Sequence, residues 1–163
     1  QHHTLNEMGV DYFASIIEYI ALKKMDQFDT YFKLEGEERI NSRPCYKIII
    51  DNKDFAYENY TVGDSESITS IARKLHISEY MILEVNPKLN DYFHILKKGQ
   101  VLKVPNAYAK HVTLYIDQLY FLPIGIRILD DKGLFEQYDY HFLQVNPKIE
   151  DAEFTKTYKD YKF

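Results

Sequence analysis

The sequence has one cysteine, no tryptophan and no apolar run of about 18 residues. A single cysteine excludes an internal disulfide, and it leaves the redox compartment open. Cys45 opens the apolar stretch 45–50, which predicts a buried structural thiol rather than a reactive one. The absence of a long apolar run excludes a membrane-spanning helix. The chain opens with Gln1 and shows no signal-peptide core, which is compatible with a processed or truncated product.

An excess of basic residues is also absent. The chain of 163 residues carries 20 Lys and Arg against 25 Asp and Glu, a formal net charge of -5 and a pI near 5.7. Nucleic-acid binding depends largely on Lys and Arg contacts to phosphates. The charge balance therefore argues against a nucleic-acid partner.

The pattern of a catalytic or metal centre is missing as well. The internal histidines are scattered and lack metal-ligand spacing. Two carboxylate pairs, Glu37-Glu38 and Asp130-Asp131, occupy hairpin-like positions where solvated charge is the default. Cys45 has no identifiable base. We expect a protein that is not an enzyme and that uses no cofactor and no metal, although a hydrolase whose catalytic residues escape sequence inspection stays open.

The residues that are present favour a sheet with a helix on it. Hydrophobic residues make up 45% of the chain, which is ample for a core. Fifteen Tyr and ten Phe cluster outside 60–105, and both types favour strands. Near the N-terminus, Thr4 and Glu7 have capping-box spacing ahead of apolar residues at helical intervals. This pattern predicts a helix that ends near Lys24.

Strand patterns follow on both sides of 60–105. We predict strands over 33–40 and 46–51 joined at Asn41-Ser42, and a short strand over 55–60. After Pro105, strands over 112–116, 122–129 and 134–145 should form a meander with Gly133 in a turn. The tail 154–163 should pack as a closing strap. Four side chains are expected on one face of the last strand: Leu134, Tyr138, Tyr140 and Phe142.

The stretch 60–105 changes the hydrophobic period abruptly. One helix is indicated by apolar residues at i, i+3, i+4 and i+7 starting at Ile68, with Ser65 or Ser67 as its cap. Ser78 can cap a second helix over 79–85, which Asn86-Pro87 ends. Residues 60–62 can then pair antiparallel with 101–104. Paired terminal strands bring the ends of the segment together, as an inserted domain requires.

We therefore predict an α+β fold. An antiparallel sheet with an N-terminal helix packed on it should occupy 1–59 and 106–163, and a strand-helix-helix-strand domain should be inserted at 60–105.

The inserted segment resembles a lysin motif (LysM) domain over nearly its whole length. The residues that carry the resemblance are Tyr60-Thr61-Val62, Ser70-Ile71-Ala72-Arg73-Lys74, Ile77-Ser78, Ile82-Leu83, Asn86-Pro87, Asn90 and Gly99-Gln100-Val101-Leu102-Lys103-Val104-Pro105. The resemblance implies binding of peptidoglycan or another N-acetylglucosamine glycan in a shallow groove between two loops. By position, the implied glycan-binding residues are Ser65, Glu66, Ser67, Ile68, Pro87, Leu89 and Asn90.

One position departs from the family pattern. In register with Ile71-Ala72, Ser65 stands where the family has glycine. If this position needs a left-handed backbone, a residue other than glycine costs about 1–2 kcal/mol. The cost would weaken the loop or reduce the affinity for the glycan.

The flanks carry a second resemblance, over roughly 31–60 and 111–163. The residues that carry it are 34–46, Leu114-Tyr115-Ile116-Asp117, Leu122-Pro123-Ile124 and Gly133-Leu134-Phe135-Glu136-Gln137-Tyr138. They look like an uncharacterised domain-of-unknown-function family of bacterial envelope proteins, similar in outline to LolA-like periplasmic lipoprotein carriers. Such carriers wrap a curved sheet around an apolar cavity, of which this chain would hold only part.

Two main hypotheses of function follow from the two resemblances. The first is a non-catalytic protein of the bacterial periplasm or outer membrane that binds peptidoglycan through the inserted domain. The alternative is a lipid or lipoprotein carrier that uses the concave sheet face, with the inserted domain as a brace or lid. Leu83, Tyr92 and Phe93 are expected to dock on the sheet rather than to stack on sugar rings.

Overall fold

The computed structural model of the protein describes residues 10–159, so the expected capping box at Thr4 and Glu7 lies outside the described residues. The helices are α1 (Val10–Lys23), α2 (Phe28–Tyr31), α3 (Ile68–Leu75) and α4 (Glu79–Val85). The strands are β1 (Phe32–Ile40), β2 (Arg43–Asp51), β3 (Tyr57–Thr61), β4 (Val101–Pro105), β5 (His111–Asp117), β6 (Pro123–Leu129) and β7 (Leu134–Asp139). Short 3-10 turns cover Met25–Gln27 and Asp151–Phe154.

Five strands form an antiparallel sheet in the order β1-β2-β5-β6-β7, which we call the host sheet. The β1–β2 hairpin turns at Asn41 and Ser42, whose φ angles are 49° and 66°. Positive φ at both central residues is typical of the turns that match the twist of a hairpin. In the turn between β6 and β7, Gly133 has a φ of 130°. The predictions of both turns are confirmed.

Helix α1 covers one face of the host sheet. Ile16 of α1 is buried in a cluster with Ile50, Val112 and Ile128, which are neighbours across β2, β5 and β6. Alternate residues point to the opposite face, where Lys47 pairs with Glu35 at 3.0 Å and Arg127 with Asp139 at 2.7 Å. An apolar face under a helix and a polar face in water are what alternation in an antiparallel sheet predicts. The α+β prediction, with a helix on an antiparallel sheet, is confirmed.

Between β2 and β5 the chain leaves the host sheet and forms a separate unit, residues 57–105, which we call the insert. Its strands β3 and β4 pair only with each other among the described residues, in a register that runs from Tyr57↔Pro105 to Thr61↔Val101. The predicted antiparallel pairing is therefore observed. The short strand predicted over 55–60 is observed as β3, which begins at Tyr57 and pairs with β4.

The insert has its own core. The buried residues of this second cluster are Val62, Ile68, Ile71, Ala72, Ile77, Ile82, Leu89, Leu102 and Val104. Each lies in or between β3, α3, α4 and β4, so the apolar faces of all four elements close on one another.

The predictions for the C-terminal region are partly wrong. Strand β7 ends at Asp139 rather than near residue 145, and Phe142 has a positive φ of 56° that turns the chain away. Tyr138 and Tyr140 pack against the host core, but the side chains of Leu134 and Phe142 are 61% and 97% exposed. Phe154 is 79% exposed, so it does not act as a closing strap. Residues 160–163 lie outside the described residues.

The single cysteine behaves as expected from its apolar surroundings. Cys45 is fully buried in β2, and burial raises the pKa of its thiol. A raised pKa lowers the thiolate fraction at neutral pH, which fits a structural role.

The contact between Gly125 and the ring of Tyr115 gives a first prediction. A Cβ added at Gly125 would lie 2.9 Å from Cδ2 of Tyr115, the cross-strand neighbour. We expect Gly125→Ala to lower the free energy of unfolding by about 1–3 kcal/mol, because the ring must move in a packed sheet. Denaturant unfolding measures the loss. In a Tyr115→Ala background the loss should shrink or reverse, and an equal loss in both backgrounds would rule out the steric explanation.

Candidate functional site

Helix α3 begins at a serine pair. Ser67 is the N-cap, its Oγ accepts the backbone N–H of Ser70 at 3.1 Å, and its own N–H donates to Ser70 Oγ at 2.8 Å. Of the two caps that the sequence allows, the structure selects Ser67. Because its hydroxyl already stabilises the helix start, replacing Ser67 should cost about 1 kcal/mol of stability.

The loop before α3 is fixed by the carboxylate of Glu66. Glu66 Oε2 accepts the backbone N–H of Gly63 at 2.8 Å, and the hydroxyl of Tyr60 donates to both carboxylate oxygens at 2.7 and 2.9 Å. Lys74 Nζ reaches Glu66 Oε1 at 2.9 Å. The Gly63 amide, followed by Lys74 and Tyr60, lowers the pKa of Glu66 to about 2. The carboxylate of Glu66 therefore holds the loop before α3 in place.

The backbone at Ser65 is left-handed, and this is the condition under which serine at this position is strained. Its φ is 57°, while the neighbouring cap residue Ser67 has an extended φ of -113°. Left-handed conformations are disfavoured for residues with a Cβ. The strain expected from serine at the family's glycine position is therefore present in the folded loop.

The loop after α4 is anchored by Asn86. Its Nδ2 donates to the carbonyls of Ile82 and Lys103, both at 2.7 Å, and its Oδ1 accepts the N–H of Lys103 at 2.9 Å. The side chain therefore joins the end of α4 to β4. The sequence predicts Asn86-Pro87 as a helix terminator and as part of the LysM resemblance, but a single sequence does not reveal the partner of Asn86 that lies 17 residues away.

The seven predicted glycan-binding residues fall into two layers. The exposed residues are Ser65, Ser67, Pro87 and Asn90, and Glu66 is partly buried. Beneath them, Ile68 is fully buried and Leu89 is 8% exposed, and both belong to the same core cluster. Each of the two loops, 65–68 and 87–90, therefore contributes one residue to the core of the insert. We call the open surface above it the groove.

The insert docks on the host away from the groove. The His76 ring, just after α3, stacks on Tyr19 of α1 with centroids 4.0 Å apart. On α4, Tyr80 stacks on Phe135 and Glu84 pairs with Lys132 at 2.8 Å. Host contacts therefore meet the C-terminal end of α3 and one side of α4, while the groove lies at the N-terminal end of α3.

The expected docking residues are not the ones that the fold uses. Phe93 is 89% exposed, and Leu83 packs against the insert's own core. For these two residues the prediction of docking on the host is wrong, and Tyr92 is partly buried. Phe93 lies in the loop that follows Asn90, where its N–H donates to Asp91 Oδ1 at 2.8 Å.

The geometry of the insert agrees with the comparison against known families. Residues 60–105 match the LysM domain family. LysM domains bind N-acetylglucosamine glycans such as peptidoglycan, they are binding domains rather than catalytic ones, and they occur in extracytoplasmic proteins. The LysM match covers the insert and does not extend to the host sheet. No curated protein and no solved structure matches the chain.

Neither a metal site nor a membrane-spanning helix is found among the described residues. Among residues 10–159, no group of three or more His, Cys, Asp and Glu side chains is placed to hold a metal ion. Over the same residues, no helix combines the length and the apolar character needed to cross a membrane.

The strain at Ser65 gives a second prediction. We expect Ser65→Gly to raise the free energy of unfolding of the insert by up to about 1 kcal/mol, because glycine adopts φ 57° without a Cβ clash. Ser78→Gly is the matched control. Ser78 has a φ of -81° and its Oγ accepts the N–H of Tyr80, so glycine there should lower stability. A loss of stability in Ser65→Gly, measured by denaturant unfolding, would contradict the strain.

The carboxylate of Glu66 gives a third prediction. Its folded-state pKa of about 2 lies below the ordinary value of 4.5, so the unfolded chain binds its proton first as pH falls. The contribution of Glu66 to stability should be complete above about pH 4.5 and should disappear as pH falls towards 2. Thermal melts of Glu66→Gln should show a weaker dependence on pH in that window than the parent chain. Glu37→Gln, at an exposed position of β1, serves as control and should follow the parent.

Proposed function

We propose that the chain is a non-catalytic cell-envelope protein that binds an N-acetylglucosamine-containing glycan, such as peptidoglycan, in the groove of the insert. One observation carries the proposal. The segment that matches LysM has a complete core of its own, and Ser65, Ser67, Pro87 and Asn90 are exposed with the host in place. A glycan can therefore approach the groove without displacing a host side chain.

The exposed polar groups of the groove suit a sugar chain. Ser65 and Asn90 offer a hydroxyl and an amide, which can donate to and accept from sugar hydroxyl and acetamido groups. Phe93 offers an exposed ring near Asn90 on which the apolar face of a sugar can stack. Glu66 and Asn86 act by holding the two loops in place, so the loops lose less conformational entropy when a ligand binds.

The expected affinity is low. A shallow, open groove buries little of a ligand compared with the deep pockets that hold small molecules tightly. Envelope association by one weak site becomes effective when the ligand is a polymer with many repeats, because rebinding is then intramolecular. We also propose that the chain acts outside the cytoplasm, in a bacterial periplasm or at the outer membrane.

The host sheet is proposed as a support for the insert rather than as a lipid carrier. The enclosed space between α1 and the sheet, bordered by Ile17, Leu114 and Ile126, has a volume of about 20 Å³. One water molecule occupies about 30 Å³ in the liquid. This space is too small for an acyl chain, and the larger cleft beside it, which Ile20, Ile50 and Val112 also line, carries polar side chains at its rim. The envelope-family resemblance of the flanks and the domain limits at 59/60 and 105/106 remain predictions.

The fourth prediction tests the groove. We expect Asn90→Ala to weaken binding of N-acetylglucosamine oligomers about threefold to tenfold, since one hydrogen bond contributes about 0.5–1.5 kcal/mol. Titration followed by NMR of backbone amides measures the binding, and the spectrum without sugar reports whether the fold is retained. Asn90 is a sharper choice than Ser67, whose hydroxyl caps α3.

Lys103→Ala is the control, because Lys103 is exposed on β4 outside both loops. It should leave the affinity unchanged. An absence of shifts at 65–68 and 87–90 in the parent chain at millimolar sugar would refute the proposed function.

A further inference from the structure

A cleft lies where α1, the end of β2 and the β3–β4 pair meet, on the far side of the insert from the groove. Its volume is about 280 Å³. We propose that this cleft is a second saccharide site that takes a single N-acetylhexosamine unit, an inference that rests on the proposed function for the class of ligand. Nothing in the LysM match assigns a site here, since most of the residues that line the cleft lie outside the matched residues 60–105.

The floor of the cleft is apolar. Ile20 comes from α1, Ile50 and Val112 from the host sheet and Val104 from the insert, and Leu75 closes the side at the end of α3. A sugar ring has one face of C–H groups that packs on such a surface, and removing apolar area from water is favourable. The wall of Tyr19 and Tyr60 adds aromatic surface next to this floor.

The rim of the cleft is polar and electrically balanced. Lys24 Nζ donates to the hydroxyl of Tyr31 at 2.8 Å, that hydroxyl donates to Asp54, and Lys24 lies 3.5 Å from the Asp54 carboxylate. The Tyr31 hydroxyl is the main cause that lowers the pKa of Asp54 and raises that of Lys24, so both stay charged near neutral pH. The charges of the two other charged residues in the lining, Lys23 and Glu58, also cancel each other. A neutral ligand fits this balance better than a polyanion or a polycation.

One acceptor in the cleft is without a partner. The Oδ1 atom of Asn52 is buried and accepts no hydrogen bond, while the backbone N–H of Asn52 is fixed to the carbonyl of Lys110 at 2.8 Å. A buried acceptor that is left unsatisfied costs free energy. Because the atom is closed to solvent, a ligand removes that cost when the Asn52 side chain turns towards the cleft and accepts an O–H or an N–H from it. Hydroxyl and acetamido groups supply such donors, and a hydrocarbon chain does not.

The size of the cleft limits the ligand. Pockets for drug-sized molecules usually measure about 300–1,000 Å³, so a cleft of about 280 Å³ suits a single sugar unit. Helix α3 separates the two sites, with the groove at its N-terminus and the cleft at its C-terminus. Eight residues span about 12 Å, so a polymer with many repeats can supply ligands to both sites of one chain.

The experiment is an NMR titration of the full chain with the β-1,4-linked disaccharide of N-acetylglucosamine. We expect two sets of saturable amide shifts, one at 65–68 and 87–90 and one at Asn52, Asn59 and His76. Asn52→Leu, which keeps the branched shape of the side chain and removes the acceptor, should weaken the cleft set about threefold to tenfold and leave the groove set unchanged. The same substitution at the other site, Asn90→Leu, should do the reverse. Asn59→Ala is a second cleft variant in case Asn52→Leu does not fold.

The outcomes separate the two proposals. Shifts in the groove alone would overturn the cleft proposal and leave the proposed function intact. Shifts in the cleft alone would support the cleft and refute the groove. If Asn52→Leu changes neither set, or if the cleft amides respond to tri-alanine and not to the disaccharide, the saccharide assignment of the cleft is wrong.

Discussion

The pairing of β3 with β4 is the interaction on which the rest of the structure depends. Its register joins Tyr57 to Pro105 and Thr61 to Val101. It continues beyond the strand ends, where the Val62 N–H donates to the carbonyl of Gln100 and the Gly99 N–H donates to the carbonyl of Val62. The two ends of the insert thereby meet at one point between β2 and β5, and the host strands still pair with each other. Without this pairing, α3 and α4 would have no sheet on which to close their core, and the groove loops would lose the core to which both contribute.

The polar groups of the insert fall into separate roles. Glu66, Asn86 and Ser67 satisfy backbone groups and keep the loops in one conformation. Ser65 and Asn90 are exposed and remain open to a ligand. The host contributes the Tyr19–His76 stack and the Glu84–Lys132 pair on the other side. Under the proposed function, orientation of the insert and recognition of a glycan are carried by different residues.

The sequence predicted what is encoded locally. Asn41-Ser42, the cap of α4 and the alternation in β5 depend on neighbours within a few residues. The sequence left Ser65 and Ser67 both open as the cap of α3, and a left-handed backbone at Ser65 was only a condition. The errors involve partners that are distant in the chain. Tyr57 extends β3 because β4 lies beside it, Asn86 finds Lys103, and Phe93 is left exposed because His76, Tyr80 and Glu84 make the host contacts instead. The cleft has walls from four separate stretches, so no local pattern could indicate it.

A crystal structure of the full chain with a tetramer of N-acetylglucosamine tests the central claim most directly. The account predicts density for sugar above Ile68 and Leu89, between loops 65–68 and 87–90, with β3 and β4 paired in the same register as in the free protein. Sugar absent from that surface, or an insert whose strands join the host sheet, would contradict it.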